Sequence, residues 1–214
     1  MPSLTGPDLF KSLSPQWEWN HNPDPTRFSV GFNGLVLQTT TVTSDLYSAR
    51  NTLTHRIQGP ISTATVKLVY SDMHDGDRAG LALLRDSSAW IGVKRDGGLF
   101  TIAFTTGLTM DGDNNWSTIS TGNTTASARI SGGTIWLRVT ADVNPGLGKQ
   151  GNFSYSTNGK TFTPLGSPFT MTDAWQFFLG YRFAIFNYAT ASLGGRIRVP
   201  LFQLDAGLGK RPVV

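Results

Sequence analysis

Residues 14–25, SPQWEWNHNPDP, place Trp17 and Trp19 two apart and follow them with Asn20, His21 and Asn22 ahead of a Pro-Asp-Pro turn. Two indoles beside a run of neutral hydrogen-bonding groups fit three kinds of chemistry: a hydrophobic plug, a metal or acid–base site, and a platform for a sugar. A pyranose or furanose presents C–H faces flanked by hydroxyls. Aromatic rings stack on those faces, and amide or guanidinium groups take the hydroxyls. The competing reading is scaffold, with indoles closing a core and Asn20 and Asn22 fastening the Pro23 turn.

Acid–base hydrolysis has thin support. Glu18 is the sole glutamate among fourteen acidic residues, and most of the thirteen aspartates stand in turn sequences such as HDGD (74–77), RDGG (95–98) and MDGDN (110–114). A glycosidase ordinarily sets two carboxylates across a cleft, one of them kept protonated by its surroundings. The three histidines, His21, His55 and His74, are far apart, none has a helical i, i+4 partner, and no G-x-S-x-G elbow accompanies them. Asp75 and Asp77 could offer oxygens to a structural calcium ion, although an Asp-Gly-Asp hairpin turn is the plainer account of them. Cysteine is absent, which removes disulfides and thiolate chemistry together.

Two further stretches carry binding-type groups. In SARNTLTHR (48–56), alternation sets Arg50, Thr52, Thr54 and Arg56 on one face, either a binding face or a solvated edge. In FFLGYRFAIFNYA (177–189), Phe177, Leu179, Tyr181, Phe183 and Ile185 alternate with Phe178, Gly180, Arg182, Ala184 and Phe186. A strand apolar on both sides must be buried on both, so Arg182 needs a partner or lines a covered cleft.

The elements that position these residues are strands. Ile135, Leu137, Val139 and Ala141 share one face of GTIWLRVTADV (133–143), and Ala89, Ile91 and Val93 share one face of SAWIGVKRDGG (88–98). Turn dipeptides at Asn33-Gly34, Asp75-Gly76, Asp111-Gly112 and Asn158-Gly159 punctuate the runs. No window shows the helical i, i+3, i+4, i+7 pattern. About a dozen short strands predict an all-β fold, a two-sheet antiparallel sandwich of jelly-roll type over one domain, 1–214, with its core at about 9–205. Residues 106–126 show no strand pattern and read as a surface excursion.

Charged residues make up 15% of the chain against 39% hydrophobic, and the net charge of +4 is scattered without a basic cluster, so no nucleic-acid footprint appears. No apolar run reaches the ~18 residues of a membrane span. The first ten residues have neither a basic start nor an apolar run, so they do not read as a signal peptide. Asn115, Asn123 and Asn152 begin N-x-S/T sequons.

The elements W-x-W-N-H-N-P (17–23) and A-R-N-T-L-T-x-R (49–56), with LVYSDMHDGDRAGLALL (68–84), NFSYSTNGKTFTPLG (152–166) and FFLGYRFAIFNYAT (177–190), resemble the β-sandwich that follows the five-bladed propeller of family 43 glycoside hydrolases. The likeness runs from about Leu9 to Asp205. It implies a concanavalin A-like fold, an extracellular setting, and a parent β-xylosidase or α-L-arabinofuranosidase whose catalytic carboxylates lie in the propeller. Similar modules are classed as xylan-binding. The resulting expectation is a non-catalytic module for xylan, arabinoxylan or xylo-oligosaccharides, with contacts from Trp17, Trp19, Asn20, His21, Asn22, Arg50 and Arg182. The alternatives are an accessory domain that stabilises or completes a catalytic propeller, and a stand-alone hydrolase. In some members an aromatic from a late strand reaches into the catalytic pocket. The matching stretch, 180–186, points to Phe183, and one side of that strand is then expected to face a missing neighbour.

Overall fold

The period-two runs form strands because their β-branched and aromatic residues pack on a pleated surface that is buried on one side. The computed structural model describes residues 5–144, 148–175 and 177–207. Among these, sixteen strands follow in chain order. They begin with β1 (Gly6–Asp8), β2 (Trp17–Trp19), β3 (Phe28–Ser29), β4 (Leu35–Gln38) and β5 (Leu53–Arg56). Six longer ones follow: β6 (Ile61–Val69), β7 (Asp77–Leu84), β8 (Ser87–Asp96), β9 (Leu99–Asp111), β10 (Ser117–Ile130) and β11 (Thr134–Asp142). The last are β12 (Gln150–Ser156), β13 (Thr163–Pro164), β14 (Phe169–Thr170), β15 (Arg182–Ala189) and β16 (Arg196–Gly207). No helix among the described residues is long and apolar enough to cross a membrane.

Two antiparallel sheets face each other. The nine-stranded sheet runs β13-β12-β11-β6-β16-β4-β3, with β1 beside β16 and β14 beside β12. The seven-stranded sheet runs β10-β9-β8-β7-β15-β5-β2. The faces read from alternation are the buried ones: Ile135, Leu137, Val139 and Ala141 meet Ala89, Ile91 and Val93 in one apolar layer. The layered architecture is the all-β sandwich.

Three features differ from the sequence reading. Residues 106–126 are not an irregular excursion, because β9 and β10 extend through them as one long hairpin paired from Asp111↔Ser117 to Phe100↔Ile130. Strand β10 is an edge strand with one neighbour; neither face is buried over residues 117–125, and only Ala126, Ala128 and Ile130 pack against the core. Its threonines and serines therefore carry no apolar alternation. Left-handed backbone at that hairpin falls on Asn115 and Trp116 (φ 52° and 56°), not on Gly112.

The second difference concerns residues 177–189. Strand structure begins only at Arg182, and the described residues among 172–181 form a loop. The third is that the outer face of β15 faces no missing neighbour. The chain's own segment 46–49 lies across it, and Leu46, Tyr47 and Ala49 pack on Leu84, Trp90, Ala184, Phe186 and Tyr188. Asp45 caps the short helical turn of that segment by accepting from the Tyr47 N–H at 2.9 Å. A second buried layer, supplied in cis, is what makes β15 apolar on both sides.

Candidate functional site

Segment 46–49 covers only part of the seven-stranded sheet's outer face. The uncovered end is a hollow of about 250 Å3. Its floor comes from Glu18 on β2, Thr54 on β5, Leu84 on β7 and Arg182 on β15, and its rim from Trp19, Asn20, His21, Met110, Phe177 and Leu179. Adjacent strands bring these together: β2 pairs β5 with Glu18 opposite Thr54, and β5 pairs β15 with Arg56 opposite Arg182.

Arg182 has the partner its burial requires. Its guanidinium bonds one oxygen of Glu18, while Arg56 takes the other at 2.8 Å. The Arg182 side chain is 13% exposed against 39% for Glu18, so the pair is solvated from the acid's side. The hydrogen bond from Arg182, then that from Arg56, holds the Glu18 carboxyl below the usual carboxylate range. A carboxylate so held stays ionised and accepts hydrogen bonds. It has no proton to give a leaving group.

On the rim, the His21 ring lies 2.6 Å from the Tyr47 carbonyl. A carbonyl only accepts, so Nε2 carries the proton. The Tyr47 hydroxyl donates to the Asp86 carbonyl at 3.1 Å. Asp86 in turn pairs with Arg85 at 2.8 Å, and Arg85 anchors the loop 172–181, whose Thr172, Ala174, Phe177 and Leu179 oxygens it binds. The tip of that loop is apolar and open, with Trp175 75%, Phe178 90% and Leu179 55% exposed. On its far side a second hollow of about 580 Å3 runs past Tyr181, Met171 and Lys149.

The structure divides the residues expected to bind. Asn20, His21 and Arg182 meet at the hollow, and Trp19, half-buried against the core with its ring 4.5 Å from Phe28, reaches the hollow's edge. Trp17 does not: its ring is 8% exposed and packs 5.1 Å from Phe10, 4.9 Å from His55 and 4.8 Å from Phe202, with Nε1 donating to Asp8 at 2.8 Å. It offers no face to a ligand, because alternation in β2 points it into the sandwich. Phe183 is likewise fully buried between the sheets, so it cannot reach a catalytic pocket. Arg50 and Asn22 stay exposed outside the hollow, where Arg50 Nε donates to the Asn22 carbonyl at 2.9 Å and ties down the turn. Asn51, buried beside them, exchanges hydrogen bonds with the Asp24 backbone at 2.9 and 3.1 Å.

The two acids considered for calcium have separate engagements. Asp75 accepts from Gly98 N–H and pairs with Arg95 at 3.2 Å, whereas Asp77 is fully buried and accepts from His74 N–H at 2.7 Å. Among the described residues no group of three acidic or imidazole side chains could hold a metal.

Glu18, Arg85, Tyr47 and Phe178 are the residues that sequence reasoning missed. Glu18 drew notice only as an isolated acid. Its neighbours in space, Arg56 and Arg182, lie 38 and 164 positions away, so no local spacing marks the cluster.

The open end of the two-sheet sandwich thus combines a small hollow, with Glu18 and Arg182 among apolar side chains, and a projecting apolar loop. Residues 8–203 match the beta xylosidase C-terminal concanavalin A-like domain family, and the chain belongs to it. The chain is 42% identical to part of a GH43 glycoside hydrolase whose engineered active site displays both endo-xylanase and exo-arabinofuranosidase activity. That structure superposes with a TM-score of 0.92 over 96% of this chain and 41% of the other. A bifunctional GH43-CE protein of Bacteroides eggerthii is 28% identical, with a TM-score of 0.86, over 98% of this chain and 27% of the other. A beta-xylosidase of Formosa agariphila is 26% identical over 89% of this chain and 33% of that protein. The chain thus spans between about a quarter and two fifths of these relatives, and its place in the family is that of the accessory C-terminal domain of GH43 glycoside hydrolases.

Proposed function

We propose that this sandwich docks through loop 172–181 on a family 43 catalytic domain and completes the substrate-facing wall of that domain's active site. The observation that carries the reading is the loop tip. Trp175, Phe178 and Leu179 stand in solvent on a backbone fixed from below by Arg85, and apolar groups gathered on one projection mark a contact for another surface. The greater length of the relatives supplies that surface. Phe178 replaces Phe183 as the aromatic offered to the catalytic pocket. The sandwich itself contributes no proton transfer, since the carboxylate in its hollow is held ionised by two arginines.

A graft tests this. The chain replaces the C-terminal sandwich of the 42%-identical relative, and arabinofuranosidase activity is measured with Phe178 intact and with Phe178→Ala. The expected outcome is an active graft whose kcat/KM falls about tenfold or more in the variant, the scale of losing one well-packed aromatic contact. An active graft indifferent to Phe178→Ala sinks the reading.

A second reading is favoured by the convergence of Trp19, Asn20, His21 and Arg182 around Glu18: the hollow takes the hydroxyls of a xylan or arabinoxylan unit. The isolated chain should then be retarded in a gel containing soluble xylan, and Glu18→Gln, which loosens both arginines, should reduce that retardation. Free migration of the unaltered chain decides against it.

A further inference from the structure

Arg85 sits in the hairpin between β7 and β8, 7% exposed, at the junction of the two hollows. All five of its N–H groups are engaged. Nε donates to the Leu179 carbonyl at 2.9 Å, Nη1 to Asp86 at 2.8 Å and the Thr172 hydroxyl at 2.9 Å, and Nη2 to the Ala174 and Phe177 carbonyls at 2.5 and 2.7 Å. The Phe177 and Tyr181 rings flank the guanidinium at 5.3 and 5.6 Å. Three carbonyls of one short loop therefore turn inward upon one cation. Among the described residues the loop has no strand pairing, and its other ties, the Thr172 N–H to the Tyr181 hydroxyl at 3.0 Å, the Lys149–Asp173 ion pair and the Trp116–Phe177 ring contact, do not take up those carbonyls, so Arg85 offsets the cost of turning them away from water.

The geometry points to Arg85 as a positioning residue: it preforms loop 172–181, and with it the placement of Phe178, before any partner is met. This rests on the docking role proposed above. Arg85 lies beneath the loop and acts only through it. A lysine cannot substitute, because three donors on a flexible stem do not reproduce a planar fork of five. Preforming lowers the ordering cost of docking, as rigid binding loops do elsewhere.

The test begins with the chain as it is. Chymotrypsin is applied to the unaltered protein, Arg85→Lys and Arg85→Ala, and cleavage after Trp175, Phe177 and Phe178 is timed while circular dichroism follows global melting. The expected result is at least about tenfold faster cleavage at these bonds in both variants, with a cooperative melt retained. Guanidinium at about 50 mM, far below denaturing concentrations, should restore protection to Arg85→Ala and leave Arg85→Lys unprotected. In the graft, Arg85→Ala should lower kcat/KM as far as Phe178→Ala does, with no further loss in the double variant. Unchanged cleavage overturns the inference, as does cleavage spread evenly over the chain or the absence of guanidinium rescue. A loosened loop with kinetics hurt by Phe178→Ala alone also overturns it. If the loop loosens and neither variant alters the graft, the docking reading fails and the ordering role of Arg85 stands.

Discussion

Asp77 shows how much one residue's surroundings decide. It is fully buried on the inner face of β7, one carboxylate oxygen accepts from His74 N–H, and the other has no partner. Burial pushes its pKa above the usual carboxylate value, although the His74 N–H, His74 itself, Arg78 and Arg95 all oppose the shift. A raised folded pKa means the folded chain holds a proton the unfolded chain releases. That contribution is complete below about pH 3.9 and is lost as pH rises through the folded value. Asp77→Asn removes the buried charge at nearly constant shape. It should therefore stabilise the protein by about 1 kcal/mol at pH 7, with the gain shrinking toward pH 3. Thermal melts at both pH values check this, and an equal gain at both would contradict the assignment. Trp17 and Trp19 teach the same lesson. They have one residue type and neighbouring positions and both turn toward the core, yet Trp17 is sealed there while Trp19, half-buried against Phe28, keeps an edge at the hollow. Period two says that they share a face. It does not say how deep beneath the edge each lies.

At the scale of elements, legibility followed burial. Strands β8 and β11 were readable because one face is core, and the sandwich followed from them. Most of strand β10 was not, since an edge strand with no buried face over 117–125 has no apolar period there. In β16 the apolar parity changes from Ile197 and Val199 to Phe202 and Leu204. The ladder against β6 slips between Arg198 and Leu201, where Pro200 lacks an N–H to donate. A close approach of backbones is equally hidden in sequence. Gly80 and Gly92 face each other on β7 and β8, and a Cβ at Gly92 would lie 2.3 Å from the Ala79 carbonyl oxygen. No rotamer relieves a clash with backbone. Gly92→Ala should cost about 2–3 kcal/mol, with the denaturant slope unchanged. Urea titration measures both, and a loss under 0.5 kcal/mol, the ordinary scatter of a surface substitution, would show that the strands can part.

At the scale of the whole molecule, the site was legible in its residue types and not in its assembly. Asn20, His21 and Arg182 were singled out from sequence and meet at the hollow, but Glu18 and Arg85 join them only through the pairing of β2, β5, β7 and β15. The same assembly bears on whether the chain can act alone. The hollow holds one carboxylate, Glu18, locked between Arg56 and Arg182. A retaining or inverting glycosidase needs a second, with one of the two protonated at working pH. The purified chain should therefore release no 4-nitrophenol from xyloside or arabinofuranoside substrates, whereas the grafted protein does. Any release that persists through repurification and disappears with Glu18→Gln would turn the hollow into an active site. The two arginines around Glu18 would then have to part during turnover to let its carboxyl take up a proton.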